Sequence, residues 1–153
     1  MNKEKIAFIP RQYLAVIAVL LAIMMSVLDG TIMNIALPTL AHDFDVTPST
    51  AIWIVNAYQL VITMTLLSFA SLGDIYGYRR IFLIGISIFV GASLACTLST
   101  SFWMLTAARV IQGFGAACVM SVNTALIRLI YPPQILGRGM GVNAMVVAVS
   151  AAA

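Results

Sequence analysis

Charge is the scarcest commodity in this sequence. Only 8% of its 153 residues are Asp, Glu, Lys or Arg, while 62% are hydrophobic and the mean hydropathy is +1.06. Soluble domains carry about 25% charged residues, so too few remain here to cover a globule in water, and the bilayer must be the solvent. Histidine occurs once and cysteine twice. His42 alone cannot build a metal site, and its place beside Asp43 and Asp45 suits a solvated loop with a helix-capping role. Cys96 and Cys118 both fall inside apolar runs and read as reduced packing residues, with neither disulfide nor metal spacing. The sequence has no Gly-rich phosphate loop, no nucleophile constellation and no paired carboxylates within one span, so an enzyme is not expected. The net charge of +3 forms no basic stripe interleaved with aromatics, which excludes a nucleic-acid surface.

Long apolar runs are what the sequence has in their place. At about 20 residues per helical span, they predict an all-α integral membrane protein with four spans and part of a fifth: about 13–37, 51–71, 81–98, 103–126 and 139–153, the last truncated. Residues 1–12 form a polar tail before the partial transmembrane domain of 13–153. Pro38 is expected to end the first helix, and Pro132 with Pro133 to break the chain after the fourth. The connections differ sharply in charge. Lys3, Lys5, Arg11, Arg79, Arg80, Arg128 and Arg138 all fall on one side of the bundle, whereas residues 38–50 and 99–102 contain no Lys or Arg. The positive-inside rule makes the basic side cytoplasmic, N-terminus included, and Trp53 and Trp103 then mark the outer interface.

Two charges remain inside spans, where each costs roughly 2.5–3.5 kcal/mol on insertion scales and seldom faces lipid. Asp29 lies about 12 Å below the outer end of helix one and Arg109 about 9 Å below that of helix four, from a rise of about 1.5 Å per residue. Gln59, and Gln112 one turn beyond Arg109, belong to the same layer by depth. A structural reading makes Asp29 and Arg109 a buried ion pair that lets two helices coexist. A functional reading makes Asp29 a carrier of protons or a partner for a cationic substrate, with Arg109 as its counter-charge. Gly113 and Ala117, four apart, permit close helix contact, and Gly137 and Gly141 share that spacing. Met24, Met25, Met33 and Met64 are either packing and lipid-facing residues or a soft wall for varied hydrophobic ligands.

The stretch from Leu28 to Pro38, Leu-Asp-Gly-Thr-Ile-Met-Asn-Ile-Ala-Leu-Pro, resembles the L-D-x-T-I-v-N-v-A-L-P signature of helix one in the major facilitator superfamily, in its fourteen-span drug:proton antiporter branch. Trp53 to Leu60 is similar to the start of that branch's second helix. Ala70 to Arg80 is similar to the superfamily's G-x-L-a-D-r-x-G-r-k turn, with Ala70 in place of the first glycine and Ile75 in place of the basic residue. Arg109 to Ala117 resembles the R-x-x-q-G-x-g-a-a motif of helix four.

The resemblance implies the N-terminal four to five helices of a major facilitator fold, a fragment whose C-terminal half is missing. It implies proton-coupled efflux of hydrophobic cations, such as quaternary ammonium compounds, across the bacterial inner membrane. The partners would be such small molecules, protons and membrane lipid, with the proton gradient as energy source and no cofactor or metal. Asp29 and Arg109 would couple protons to the substrate cation, and Asn34, Gln59 and Gln112 would line the cavity. Asp74, Gly77, Arg79 and Arg80 would form a cytoplasmic conformational latch. A non-transporting truncated product and a small four-span exporter acting as an oligomer are the alternatives.

Overall fold

A computed structural model describes residues 4–130 and 136–152. Five helices account for nearly all of them: α1 (Glu4–Asp43), α2 (Pro48–Tyr76), α3 (Tyr78–Thr97), α4 (Phe102–Ile130) and α5 (Leu136–Ala152). Four contain stretches long and apolar enough to cross a membrane, and α5 offers only the shorter apolar stretch Gly139–Ser150. Pro132 and Pro133 lie outside the described residues.

The helices overrun the apolar spans because their ends are set by caps rather than by hydrophobicity. Pro38 does not end helix one: α1 runs through it to Asp43, so His42 sits in the last helical turn and not in a loop. Proline there removes only the donor that would pair with the Asn34 carbonyl, a loss that membrane helices tolerate. At its start α1 is already helical from Glu4, so the tail is continuous with the first span. α2 starts at Pro48 because Thr47 is its N-cap: the Thr47 side chain accepts the Thr50 amide at 3.3 Å, and proline suits the first helical position. It stops only at Gly77, whose φ of 93° breaks the helix and launches α3.

α4 is the centre of the bundle, packing most extensively on α3 and α2. Small residues make this possible. A Cβ on Gly115 would stand 2.6 Å from the Phe89 amide nitrogen and one on Gly85 2.6 Å from Cys118 Cβ, so α3 and α4 cross nearly in backbone contact. A Cβ on Gly113 would meet the Tyr58 carbonyl at 3.0 Å, so α4 comes close to α2 at Gly113. Gly137 and Gly141, in contrast, have open space beside them.

The apolar core has a cluster toward each end, and a third small one of Tyr58, Phe89 and Ala116. Toward the basic end, Val19 and Ile23 of α1 pack with Ile81 and Phe82 of α3 and Val119, Val122 and Ile127 of α4. Toward the other end a smaller cluster joins Ile54, Phe102 and Leu105. Trp53 and Trp103 lie exposed at that second end, the outer interface of the sequence reading. α5 leans on α1 and α4 and is tied to α4 by a 3.1 Å bond from Asn123 Nδ2 to Asn143 Oδ1.

Candidate functional site

Between the two clusters the helices carry polar side chains that hydrocarbon would reject unless they satisfied one another. Arg109 of α4 reaches across to α1, where its Nη1 donates to Asp29 Oδ2 at 2.7 Å. Gln112, one turn further along α4, donates from Nε2 to the other carboxylate oxygen at 3.0 Å. That same amide lies 2.9 Å from Ser93 Oγ on α3, and Cys96 Sγ is 3.5 Å from Gln112 Oε1. Both oxygens of Asp29 are thereby engaged and three helices are tied at one level. The guanidinium carbon of Arg109 stands 5.8 Å from the centre of the Tyr58 ring of α2, a cation–π contact. Arg109 Nε is buried with no hydrogen-bond partner among the described residues.

The pair is not sealed equally. The Arg109 side chain keeps 5% of its surface accessible and Asp29 keeps 21%. Asp29 gains its exposure from a cavity of about 600 Å³ between α1, the C-terminal part of α3 and the first half of α4. Apolar Met33, Leu40 and Leu105 face polar Ser93, Thr97 and Ser99 across it.

The depth estimate from sequence is correct for Asp29, Arg109 and Gln112, which meet directly. Gln59, placed in the same layer by depth, does not join them, and neither does Asn34, expected only as cavity lining. Both are exposed, and both line a second cavity of about 250 Å³ with Thr31, Ser26 and Tyr58. The physical reason is azimuth: Asn34 follows Asp29 by five residues, which at 3.6 per turn puts it about 140° around α1. Tyr58 separates the two settings, and its hydroxyl points to the Ser26 carbonyl at 3.5 Å. Of the four methionines singled out, only Met33 lines the ion-pair cavity.

Sequence reasoning missed Ser93 altogether and took Cys96 for packing. Nothing distinguishes either in an apolar run except its spacing: Ser93 and Cys96 are three apart, on the helix face that Gln112 needs. Cys96 is half-buried and free, and it too lines the cavity.

The turn between α2 and α3 is built as its glycine predicted. Asp74 accepts a hydrogen bond from the Tyr78 hydroxyl across the Gly77 turn. Tyr78 is the first residue of α3, so Asp74 near the end of α2 is tied to the start of the neighbouring helix. The Tyr78 ring lies against Gly73, where an added Cβ would meet it at 3.0 Å and Val122 at 2.9 Å. Arg79 and Arg80 are exposed and form no ion pair among the described residues.

Four membrane-length helices, three of them joined by a buried charge network, define a multi-pass membrane protein. The family model of the Major Facilitator Superfamily matches residues 19–153, and the chain belongs to that family. It is 59% identical over 145 residues to the uncharacterized transporter YebQ of Escherichia coli, covering 95% of this chain and 32% of the relative. It is 34% identical to the riboflavin transporter RibZ of Clostridioides difficile over 91% of this chain and 30% of the relative. To the drug efflux pump JefA of Mycobacterium tuberculosis it is 40% identical, over 86% of this chain and 26% of the relative. The chain thus spans about a third or less of the length of these relatives.

Proposed function

We propose that the protein containing this chain is a proton-coupled exporter of hydrophobic, often cationic drugs, quaternary ammonium compounds among them. It would work in the bacterial inner membrane with its N-terminus in the cytoplasm, drawing on the proton gradient without a cofactor. One observation carries the reading: Asp29 is salt-bridged at 2.7 Å to a buried arginine yet remains open to a cavity. Similarity to a drug efflux pump supports the substrate class.

In this scheme Arg109 and Gln112 hold α4 to α1 while Asp29 is ionised. Protonation removes the charge they grip, which frees α1 and α4 to shift between two arrangements. A cationic substrate and a proton would then compete for one carboxylate, which is how antiport arises at a single site. Asp74, Gly77, Arg79 and Arg80 would latch the basic face in one arrangement, with a partner surface in the rest of the protein.

Asp29→Asn keeps the shape and removes the charge. The variant is expected to insert normally and to lose drug transport driven by an imposed proton gradient, measured as ethidium uptake into energised everted vesicles. Normal gradient-driven uptake by Asp29→Asn vesicles would overturn the proposal.

A further inference from the structure

Across Tyr58 from the ion pair lies the second cavity, of about 250 Å³, walled by α1, α2 and Met120 of α4. Its lining differs in kind from that around Asp29. Ser26, Thr31, Asn34 and Gln59 supply hydroxyls and amides, Tyr58 supplies a ring, and no Asp, Glu, Lys or Arg borders it among the described residues. The two hydroxyls are already engaged as donors: Ser26 Oγ bonds to the Ala22 carbonyl at 3.0 Å and Thr31 Oγ1 to the Val27 carbonyl at 3.2 Å. The side chains of Asn34 and Gln59 are exposed, and each amide offers two N–H donors and a carbonyl acceptor. Lipid is a poor neighbour for such groups, because hydrocarbon strongly disfavours an unpaired amide.

Gly30 marks the same place independently. A glycine inside a helix weakens it relative to alanine and ordinarily has a packing or functional reason. Gly85, Gly113 and Gly115 have a packing reason, since a Cβ at each would come to 3.0 Å or less from another helix. Gly30 has none: it lies inside α1, and a Cβ there would meet nothing within 4 Å. It borders the cavity, so its missing side chain leaves room for an occupant and not for a helix.

We propose that this cavity is a second binding site, separate from Asp29, which takes an uncharged amide or similar hydrogen-bonding group of a drug, held by Asn34 and Gln59 beside the Tyr58 ring. The lining offers no counter-charge, so a charged group is disfavoured there. Pockets for whole drugs run from roughly 300 to 1,000 Å³, so about 250 Å³ houses one arm of such a molecule and leaves the rest outside. The site goes beyond the cation-export reading, because it adds uncharged compounds to the ligands, and it does not depend on proton coupling.

The test is binding to the full-length protein, purified in detergent from its complete reading frame, by equilibrium dialysis against linezolid, an uncharged acetamide, and ethidium, a cation. Asn34→Leu/Gln59→Leu removes both amides and keeps their bulk, and Gly30→Leu fills the cavity where a Cβ meets no neighbour. Each is expected to raise the linezolid Kd by about tenfold relative to the ethidium Kd, through lost hydrogen bonds in the first and lost space in the second. Asp29→Asn should move the ratio the other way, weakening ethidium more than linezolid. The amide substitutions fall at exposed positions, so they keep the test open should Gly30→Leu fail to fold. Absence of saturable linezolid binding by the unaltered protein would overturn the site. Equal weakening of both probes would overturn it too, since that means one shared site. So would linezolid binding indifferent to the substitutions, which is what a later helix packed into the cavity would give. Ethidium binding indifferent to Asp29→Asn would count against the cation reading alone and leave the second site standing.

Discussion

At the scale of single residues, the site rests on a carboxylate whose two oxygens have different partners. Arg109 neutralises one, and Gln112 links the other to Ser93 on a third helix. Gln112→Leu would leave Arg109 in place but strip Asp29 Oδ1 and Ser93 of their shared donor. The expected cost is about 1–3 kcal/mol for the unsatisfied groups, read as a lower unfolding temperature in detergent, with Ser93→Ala costing less because water in the cavity can replace its hydroxyl. Equal destabilisation by the two substitutions would show that the amide is not the hub. Asp29 and Arg109 were legible in the sequence because a charge in an apolar run is rare and the helical rise fixes its depth, and Gln112 because it lies one turn from Arg109. Gln59 shares their depth but not their cavity, because depth says nothing about the face a side chain occupies, and the faces of two helices are aligned only by their packing. Ser93 was silent, since serine in a membrane helix ordinarily bonds back to its own backbone, as Ser26 does to the Ala22 carbonyl at 3.0 Å.

Between elements, the closest approaches decide which helices can carry the network. Gly85 and Gly115 bring α3 against α4, which in turn lets Ser93 and Cys96 reach Gln112. Gly115→Val would drive side-chain atoms into the Phe89 backbone, a contact that no rotamer relieves. It should destabilise the bundle by about 1–3 kcal/mol, as overpacking does elsewhere, whereas Gly141→Ala, with open space beside it, should leave the melting temperature unchanged. The Gly113–Ala117 spacing was visible in the sequence. The more consequential glycine pair, Gly85 with Gly115, lies on two helices and has no linear signature. Helix ends were half legible. The Gly77 turn was read correctly because only glycine readily takes a φ of 93°. Pro38 was read as a stop, because proline's cost is the loss of one backbone bond, and a helix already committed by long apolar flanks on both sides absorbs it.

For the whole molecule, the distribution of charge and the distribution of space point opposite ways. Cations gather at the end where the core cluster of α1, α3 and α4 is tight, and the open cavity faces the end whose connections contain no Lys or Arg. Retention of the basic end on the cytoplasmic side would therefore turn the open side of the charge network outward. That arrangement can be checked by fusing alkaline phosphatase, active only outside the inner membrane, after Asp45, after Arg80 and after Thr100. Activity is expected from the first and third fusions and not from the second. The stronger test removes the cause: Arg79 and Arg80 sit exposed at the α2–α3 turn without ion-pair partners among the described residues, so their replacement by Gln should cost little packing energy. It should nonetheless weaken the orientation signal, because each cation near a short loop acts through the insertion machinery and not through folded contacts. A rise of phosphatase activity at the Arg80 position in Arg79→Gln/Arg80→Gln, with the fold retained, is the expected result. Unchanged topology would show that Lys3, Lys5 and Arg11 before the first span are sufficient on their own, and activity at Arg80 in the unaltered chain would invert the assignment of the cavity's open side.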